Sequence, residues 1–363
     1  MKNHKANRPP QAVSRFLFSG KRNRYAALIL TMLLVIGLFS GCGNDSPAPA
    51  EDKLKIVTTI FPEYDWVCQI LGSLADNADV TMLLDNGVDL HSFQPSVDDI
   101  IQISACDLFI YTGSSTDSWV DAALAESVNK DMVVIELTEV LGEAVKAEEI
   151  VEGMEHDHAH EDEHAHDTHT DDGQAEEHAT TGRNDEHIWL SLRNAKTLCA
   201  HIAQQLGMLD PENAAVYAEN ADAYIARLTA LDEEYRLAAE NAEYDTLLFA
   251  DRFPFRYLLD DYGLHYYAAF PGCSAESEAS FETIAFLSGK ADELGLPVIL
   301  TTEDVSHNLA QTVLQNTQRK DQKILALDSM QSVTAAEIKD GKSYLLVMES
   351  NLQVLTDALG RRE

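Results

Sequence analysis

Between residues 211 and 242 the chain runs without a glycine, and Tyr217, Ala221, Ile225, Leu228, Leu231 and Tyr235 step by three or four, the spacing that lines one face of a helix. Pro211 opens the stretch, and proline suits the first turn of a helix, where its missing N–H has no partner to lose. At 1.5 Å per residue such a helix spans roughly 45 Å, far more than a connection between neighbouring elements requires. It divides the chain into two halves, each of which must build its own layered core.

Both halves alternate short apolar runs with helical patterns. In the first, residues 54–60, 80–84, 108–111 and 132–137 read as buried strands, with helical segments at 62–71, 97–104 and 119–128. A helix at 193–206 precedes the long one. In the second half, strands at 246–249, 265–270, 297–301 and 324–327 alternate with helices at 255–262, 281–294, 308–318 and 343–359. Strands separated by helices in short order imply βαβ units. The expected fold class is α/β: two βα lobes with parallel sheets joined by a long rigid helix, and ligands in such folds bind in a cleft beyond the carboxyl ends of the strands.

One stretch has no means of joining either core. From Glu155 to His178, seven histidines (His156, His158, His160, His164, His166, His169 and His178) stand among ten carboxylates with almost no apolar residue between them. Neutral imidazole is the commonest nitrogen ligand of transition metals, carboxylates add oxygen donors and negative potential, and so polar a run is expected to be disordered. The loop is expected over 151–186, as an accessory that gathers metal weakly. His160-Glu161-Asp162-Glu163-His164 within it matches the His-Glu-x-x-His pattern of metalloproteases. That chemistry needs both histidines on one face of a buried helix, and no apolar face is present here to dock one.

The first residues carry an address. Seven basic residues from Lys2 to Arg24 precede an apolar run at 25–39, too short for a comfortable membrane span, and Leu38-Phe39-Ser40-Gly41-Cys42 resembles the lipobox of bacterial lipoproteins. Residues 1–42 are read as a lipoprotein signal peptide with Cys42 as the lipid attachment, and 43–52 as a tether. The N-terminal lobe is expected over 53–210, the linker helix over 211–242 and the C-terminal lobe over 243–363. The expected location is the extracytoplasmic face of a bacterial membrane. A formal net charge of −35 argues against nucleic acid as a partner and favours cations. Cys68, Cys106, Cys199 and Cys273 show no Cys-x-x-Cys pairing, which weakens zinc-ribbon and thioredoxin-like readings; a Cys68–Cys106 disulfide is compatible with this location but is not readable from spacing.

Two histidines outside the tract have ordered contexts. His91 lies in Gly87-Val-Asp-Leu-His91-Ser-Phe-Gln-Pro95-Ser96, on a loop after the second strand, and His187 lies in Asp185-Glu186-His187-Ile188-Trp189-Leu190-Ser191, with apolar residues following. Glycine before His91 and proline after it restrict the backbone, as a preorganised ligand requires. His201, His265 and His307 have no such context and read as structural or surface residues.

These two segments resemble the His-x-Tyr-Glu-Pro-Ser and Asp-Pro-His-x-Trp-Leu-Asp-Pro motifs of the metal-binding lipoproteins of zinc and manganese ABC transporters, a likeness that runs from about residue 53 to 359. The resemblance implies a solute-binding protein, not an enzyme, that holds a divalent metal between two lobes with four side chains and delivers it to an ABC permease. His91 and His187 are two of the implied ligands, and Asp328, at the end of the last strand, resembles the fourth. Arg252 stands at the position of the third, and a guanidinium cannot coordinate a metal. Asp251 beside it and Cys273 are the substitutes, Glu303 is a reserve, and Arg252 is expected to pair with Glu303 or Asp328. Two imidazoles, a thiolate and a histidine-rich tract favour Zn2+, with Mn2+ the alternative. The competing functions are a secreted zinc-dependent hydrolase and a passive surface metal buffer or adhesin.

Overall fold

Strand β1 (Leu54–Thr58) carries Ile56 and Val57 into the interior, and it sits centrally in a four-stranded sheet. It pairs in parallel with β2 (Ala78–Met82) on one side and β3 (Leu108–Tyr111) on the other, and β4 (Val133–Glu136) extends the sheet beyond β3, also in parallel. The order β2-β1-β3-β4 requires crossover helices. These are α1 (Phe61–Leu71), α2 (Val97–Ala105) and α3 (Val120–Ala125), and α4 (Leu137–Leu141) follows β4. The computed structural model describes residues 53–113, 115–155, 179–274, 278–303 and 307–362. The signal peptide, the tether, Cys42 and the seven histidines of the tract lie outside them. Among the described residues no helix is long and apolar enough to cross a membrane.

A two-stranded antiparallel ribbon of β5 (Ala147–Ile150) and β6 (Ala179–Asn184) follows, pairing Ile150 with Ala179. The sequence shows no strand here, yet the ribbon frames the tract and both flanks of the expected 151–186 loop are ordered. The ribbon docks on the C-terminal half, although it falls within the expected N-terminal lobe. Tyr266 Oη donates to Glu149 (3.1 Å), and the Glu155 amide donates to the Ala269 carbonyl (2.9 Å).

Helix α5 (Leu192–Leu209) and the spine α6 (Ala214–Glu240) form a hairpin. The spine begins three residues after Pro211 because the Asp210 carboxylate, accepting from Asn213 Nδ2 and Tyr217 Oη at 2.7 Å each, stabilises the intervening turn. Asn220 on the spine donates to the Ile70 carbonyl at the end of α1. Tyr235 Oη, four turns on, donates to the carbonyl of Met348 in the C-terminal half (2.6 Å). The spine is thus anchored to both halves.

The C-terminal sheet has the order β10-β9-β7-β8, all parallel, from β7 (Thr246–Phe253), β8 (His265–Pro271), β9 (Val298–Thr302) and β10 (Lys323–Leu327). Helices α7 (Arg256–Asp261), α8 (Phe281–Glu293), α9 (Asn308–Asn316), α10 (Ala335–Lys339) and α11 (Tyr344–Leu359) complete this half. Leu247 and Phe249 of β7 face one apolar cluster and Leu248 and Ala250 the other, the period-two division of a strand buried on both faces. The first cluster is continuous from Ile56 and Phe109 through Trp66, Trp189 and Leu228 to Phe249, Leu327 and Met348, so the two lobes share a core.

Candidate metal centre

Three loops converge where the lobes meet. His91 sits in a short 3-10 turn after β2, capped by Asp89, whose Oδ1 accepts from the His91 amide (2.9 Å). Asp89 Oδ2 accepts from Arg252 Nη2 across the cleft (3.0 Å), so the C-terminal half fixes the turn that carries His91. Strand β6 leads directly into Asp185, Glu186 and His187, three consecutive ionisable residues that are 2%, 1% and 0% exposed. Burying such a run is costly unless each group has a partner. The Asp185 carbonyl accepts from Tyr257 Oη (2.8 Å), and Asp185 Oδ1 accepts from both the amide and Nδ1 of His187 at 2.9 Å. Cys273 follows β8. A Cβ at Gly272 would lie 2.9 Å from His187 Cε1 and 2.9 Å from the Phe253 carbonyl, so glycine permits the Cys273 loop to approach the ring.

The candidate donor atoms of His91, Glu186, His187 and Cys273 all lie within 4.8 Å of one another. Glu186 Oε1 is 2.9 Å from His91 Nδ1, as Asp185 is from His187 Nδ1. Asp185 accepts from His187 Nδ1, which holds the proton there and turns the His187 Nε2 lone pair inward, the tautomer that metal-ligating histidines use, whereas the Glu186 contact with His91 is a close ion-pair approach. Both rings meet the side-chain nitrogen of Gln331, 3.1 Å from His91 Nε2 and 2.7 Å from His187 Nε2.

The electrostatics point the same way. Burial alone would push the His187 pKa down, but Asp185, Glu186 and Glu148 outweigh it and hold the pKa above its usual value. Burial, then Glu186, Glu148 and Asp185, push the Cys273 thiol far up. The carboxylates call for positive charge at Nε2, whereas the amide 2.7 Å away is a donor that only a neutral ring can accept. A metal cation reconciles the two demands, because it brings charge and takes the lone pair. Two imidazoles, a carboxylate and a thiolate form the N/O/S donor set of a tetrahedral zinc site.

Residues 56–358 match the family described as zinc-uptake complex component A, periplasmic. The chain belongs to this family. It is 31% identical over 341 residues to the zinc-binding protein AdcA of Streptococcus pyogenes serotype M3, across 92% of this chain and 62% of that relative. The chain thus spans less than two thirds of the AdcA length. It is 31% identical over 326 residues to the high-affinity zinc uptake system protein ZnuA of Bacillus subtilis, across 89% of this chain and 94% of that one. Among solved structures, the metal-dependent lipoprotein YcdH of Bacillus subtilis superposes with a TM-score of 0.65 at 28% identity, over 85% of this chain and 99% of that chain. The Zn(II)-bound ZnuA-like domain of Streptococcus pneumoniae AdcA superposes with a TM-score of 0.63 at 27% identity, over the same shares. The α/β architecture of two parallel-sheet lobes with a long helix is that of these structures.

Against the family motifs, the structure gathers His91, His187 and Cys273 and leaves Asp251 and Asp328 outside the cluster. The pairing of β7 with β8 shifts register between Phe249 and Arg252. In that irregular stretch Asp251 Oδ2 accepts from the amide (2.9 Å) and hydroxyl (2.8 Å) of Thr302, and Oδ1 accepts from the Arg252 amide, which ties down the end of β9. Asp328 Oδ2 pairs with Lys342 Nζ (2.9 Å), and Oδ1 accepts from the Met330 amide (2.8 Å). Glu303, the reserve, binds the amide and hydroxyl of Ser329. Arg252 pairs with Asp89 rather than with Glu303 or Asp328, because β7 continues four residues beyond the expected strand end and carries the guanidinium across the cleft. Cys68 and Cys106 are free thiols, so no disulfide joins them. Glu186, Asp185, Glu148 and Gln331 were not legible as site residues. For the first two a signal existed, since charged residues immediately before Ile188-Trp189-Leu190 must be buried with it.

Proposed function

We propose that this protein captures Zn2+ with His91, Glu186, His187 and Cys273 and delivers it to an ABC permease. The observation that carries the reading is the convergence of these four side chains at the junction of the two lobes, with His187 turned by Asp185. In this reading the mature protein begins at Cys42, which anchors it by lipid to the extracytoplasmic face of the membrane. The family name supports binding and delivery rather than catalysis.

The family resemblance implies Asp328 as an oxygen donor, with Asp251 or Cys273 in place of Arg252, and this reading keeps Cys273 and takes Glu186 as the oxygen donor. A thiolate and two imidazoles favour zinc over manganese, which prefers an all-oxygen or oxygen-rich shell. The residues that flank the histidine tract pair as Ile150 and Ala179, and in this reading the tract gathers metal weakly as an accessory.

The test is a zinc titration of the mature protein, intact and with residues 156–178 deleted. The deletion should leave one tight zinc per chain, and His91→Ala or His187→Ala should abolish it. Loss of all tight binding with the tract would establish a passive buffer instead.

A further inference from the structure

Gln331 is neither charged nor a usual zinc ligand, and the family motifs assign it nothing. Among the described residues it is nevertheless the one side chain in hydrogen-bond contact with the Nε2 atoms of both His91 and His187. Because Asp185 holds the proton on His187 Nδ1, the His187 Nε2 is an acceptor, and the Gln331 amide NH2 has two hydrogens, one within reach of it and one within reach of His91 Nε2. Its other amide atom lies 3.1 Å from Ser329 Oγ.

The backbone beneath Gln331 is fixed at several points. The Asp328 amide donates to Asn351 Oδ1 (2.9 Å), the Ser329 amide to Glu303 Oε2 (2.8 Å), and Trp189 Nε1 to the Ser329 carbonyl (2.9 Å). Met330, 1% exposed, is held at φ 62°, a left-handed conformation that methionine adopts only under constraint from its surroundings. The part left to move is the side chain. On its outer side lies a cavity of about 330 Å³, lined by Asp89, Arg252, Glu303, Gln331 and Glu337 among others. At about 30 Å³ per water it has room for several waters or a hydrated cation. Gln331 thus stands between an acidic antechamber and the two Nε2 atoms.

We propose that Gln331 is a gate that competes with the metal: its amide occupies both imidazole lone pairs and must swing into the antechamber before zinc can take them. This rests on the zinc-capture reading above. The amide acts as a built-in competitor, so it weakens equilibrium binding and slows association, and by reclaiming the imidazoles it favours release. Two neutral hydrogen bonds correspond to roughly ten- to thirtyfold in an equilibrium constant.

The test compares the mature wild-type protein with Gln331→Met, which keeps the volume and lacks the donors, and with Gln331→Ala. Zinc affinity is measured by competition with a chromogenic chelator and association by stopped flow, with thermal melting in excess chelator reporting the fold. Both variants should bind zinc roughly tenfold more tightly and associate faster. Unchanged affinity and rate in a variant that melts like the wild type would overturn the gate. So would weaker binding, which would make the amide oxygen a ligand or a support. If Gln331→Ala melts early, Gln331→Met decides. Failure of the wild type to bind zinc would instead overturn the zinc-capture reading itself.

Discussion

Glu186→Gln is the sharpest test of the donor set, because it changes one buried oxygen to nitrogen and leaves the shape of the site intact. Glu186 is 1% exposed, its Oε1 lies 2.9 Å from His91 Nδ1, and Oε2 accepts from Thr116 Oγ1 (3.2 Å). Glutamine keeps the shape and one side-chain oxygen but loses the negative charge and half of the acceptor capacity. Replacing a group that orients a metal-ligating histidine typically weakens metal affinity ten- to hundredfold, or about 1.4–2.7 kcal/mol. Glu186 is a candidate donor itself, within 4.8 Å of the others, so its loss should reach at least the upper end of that range. The assay is chelator competition at neutral pH on protein lacking residues 156–178, so that the tract cannot mask the site. Thermal melting of the metal-free variant reports whether the fold survives the change. Wild-type zinc affinity in Glu186→Gln would refute both the ligand assignment and the charge argument.

Glu63 offers a pH test remote from the site. It is fully buried at the start of α1, accepts from the amides of Thr59 and Ile60, and burial pushes its pKa up from 4.5 to about 8. Since the folded pKa lies above the unfolded one, the native state holds the extra proton, and the stabilisation is complete below pH 4.5 and lost as pH rises through 8. Glu63→Gln should remove a slope of up to about 1.4 kcal/mol per pH unit over that window, measured by denaturant unfolding at several pH values; equal slopes in the two proteins would exclude the buried acid. Gly272→Ala forces a Cβ to within 2.9 Å of the His187 ring and of a backbone carbonyl, so it should cost about 1–3 kcal/mol in stability and weaken zinc binding together. Unchanged melting and affinity would show that the Cys273 loop is not packed against His187.

The spine was legible because helical spacing survives over thirty residues, and the strands because apolar runs between turns have few other uses. The ribbon β5–β6 was not. Its residues are polar, and its pairing is imposed by the C-terminal half through Glu148, Glu149 and Glu155. The site divides along the same line. His91 and His187 sit in local motifs whose glycine, proline and tryptophan can be read directly. The remaining donors depend on which strand end reaches the cleft, and the register shift at residues 249–252 turns Asp251 toward Thr302 while a side-chain-free Gly272 brings Cys273 to the ring. Neither event leaves a trace in periodicity.

Arg252 shows how the departures from the family motif fit together. The resemblance places a metal ligand at this position, projecting from the C-terminal lobe toward the histidine of the N-terminal lobe. Here the guanidinium makes that crossing itself and binds Asp89, the residue that caps the His91 turn. The tie between lobes therefore exists without metal, and with the continuous apolar core it leaves little closing motion for zinc to drive. The donor that this position no longer supplies is replaced in this reading by Cys273, on the loop after β8. Glu186 and a Cys273 thiolate together carry two negative charges, which a divalent ion neutralises in a pocket where Glu186 and His187 are at most 1% exposed. Because the lobes are tied, the step that controls access has to be smaller than a lobe motion, and the Gln331 side chain, at the inner wall of the antechamber, is of that scale.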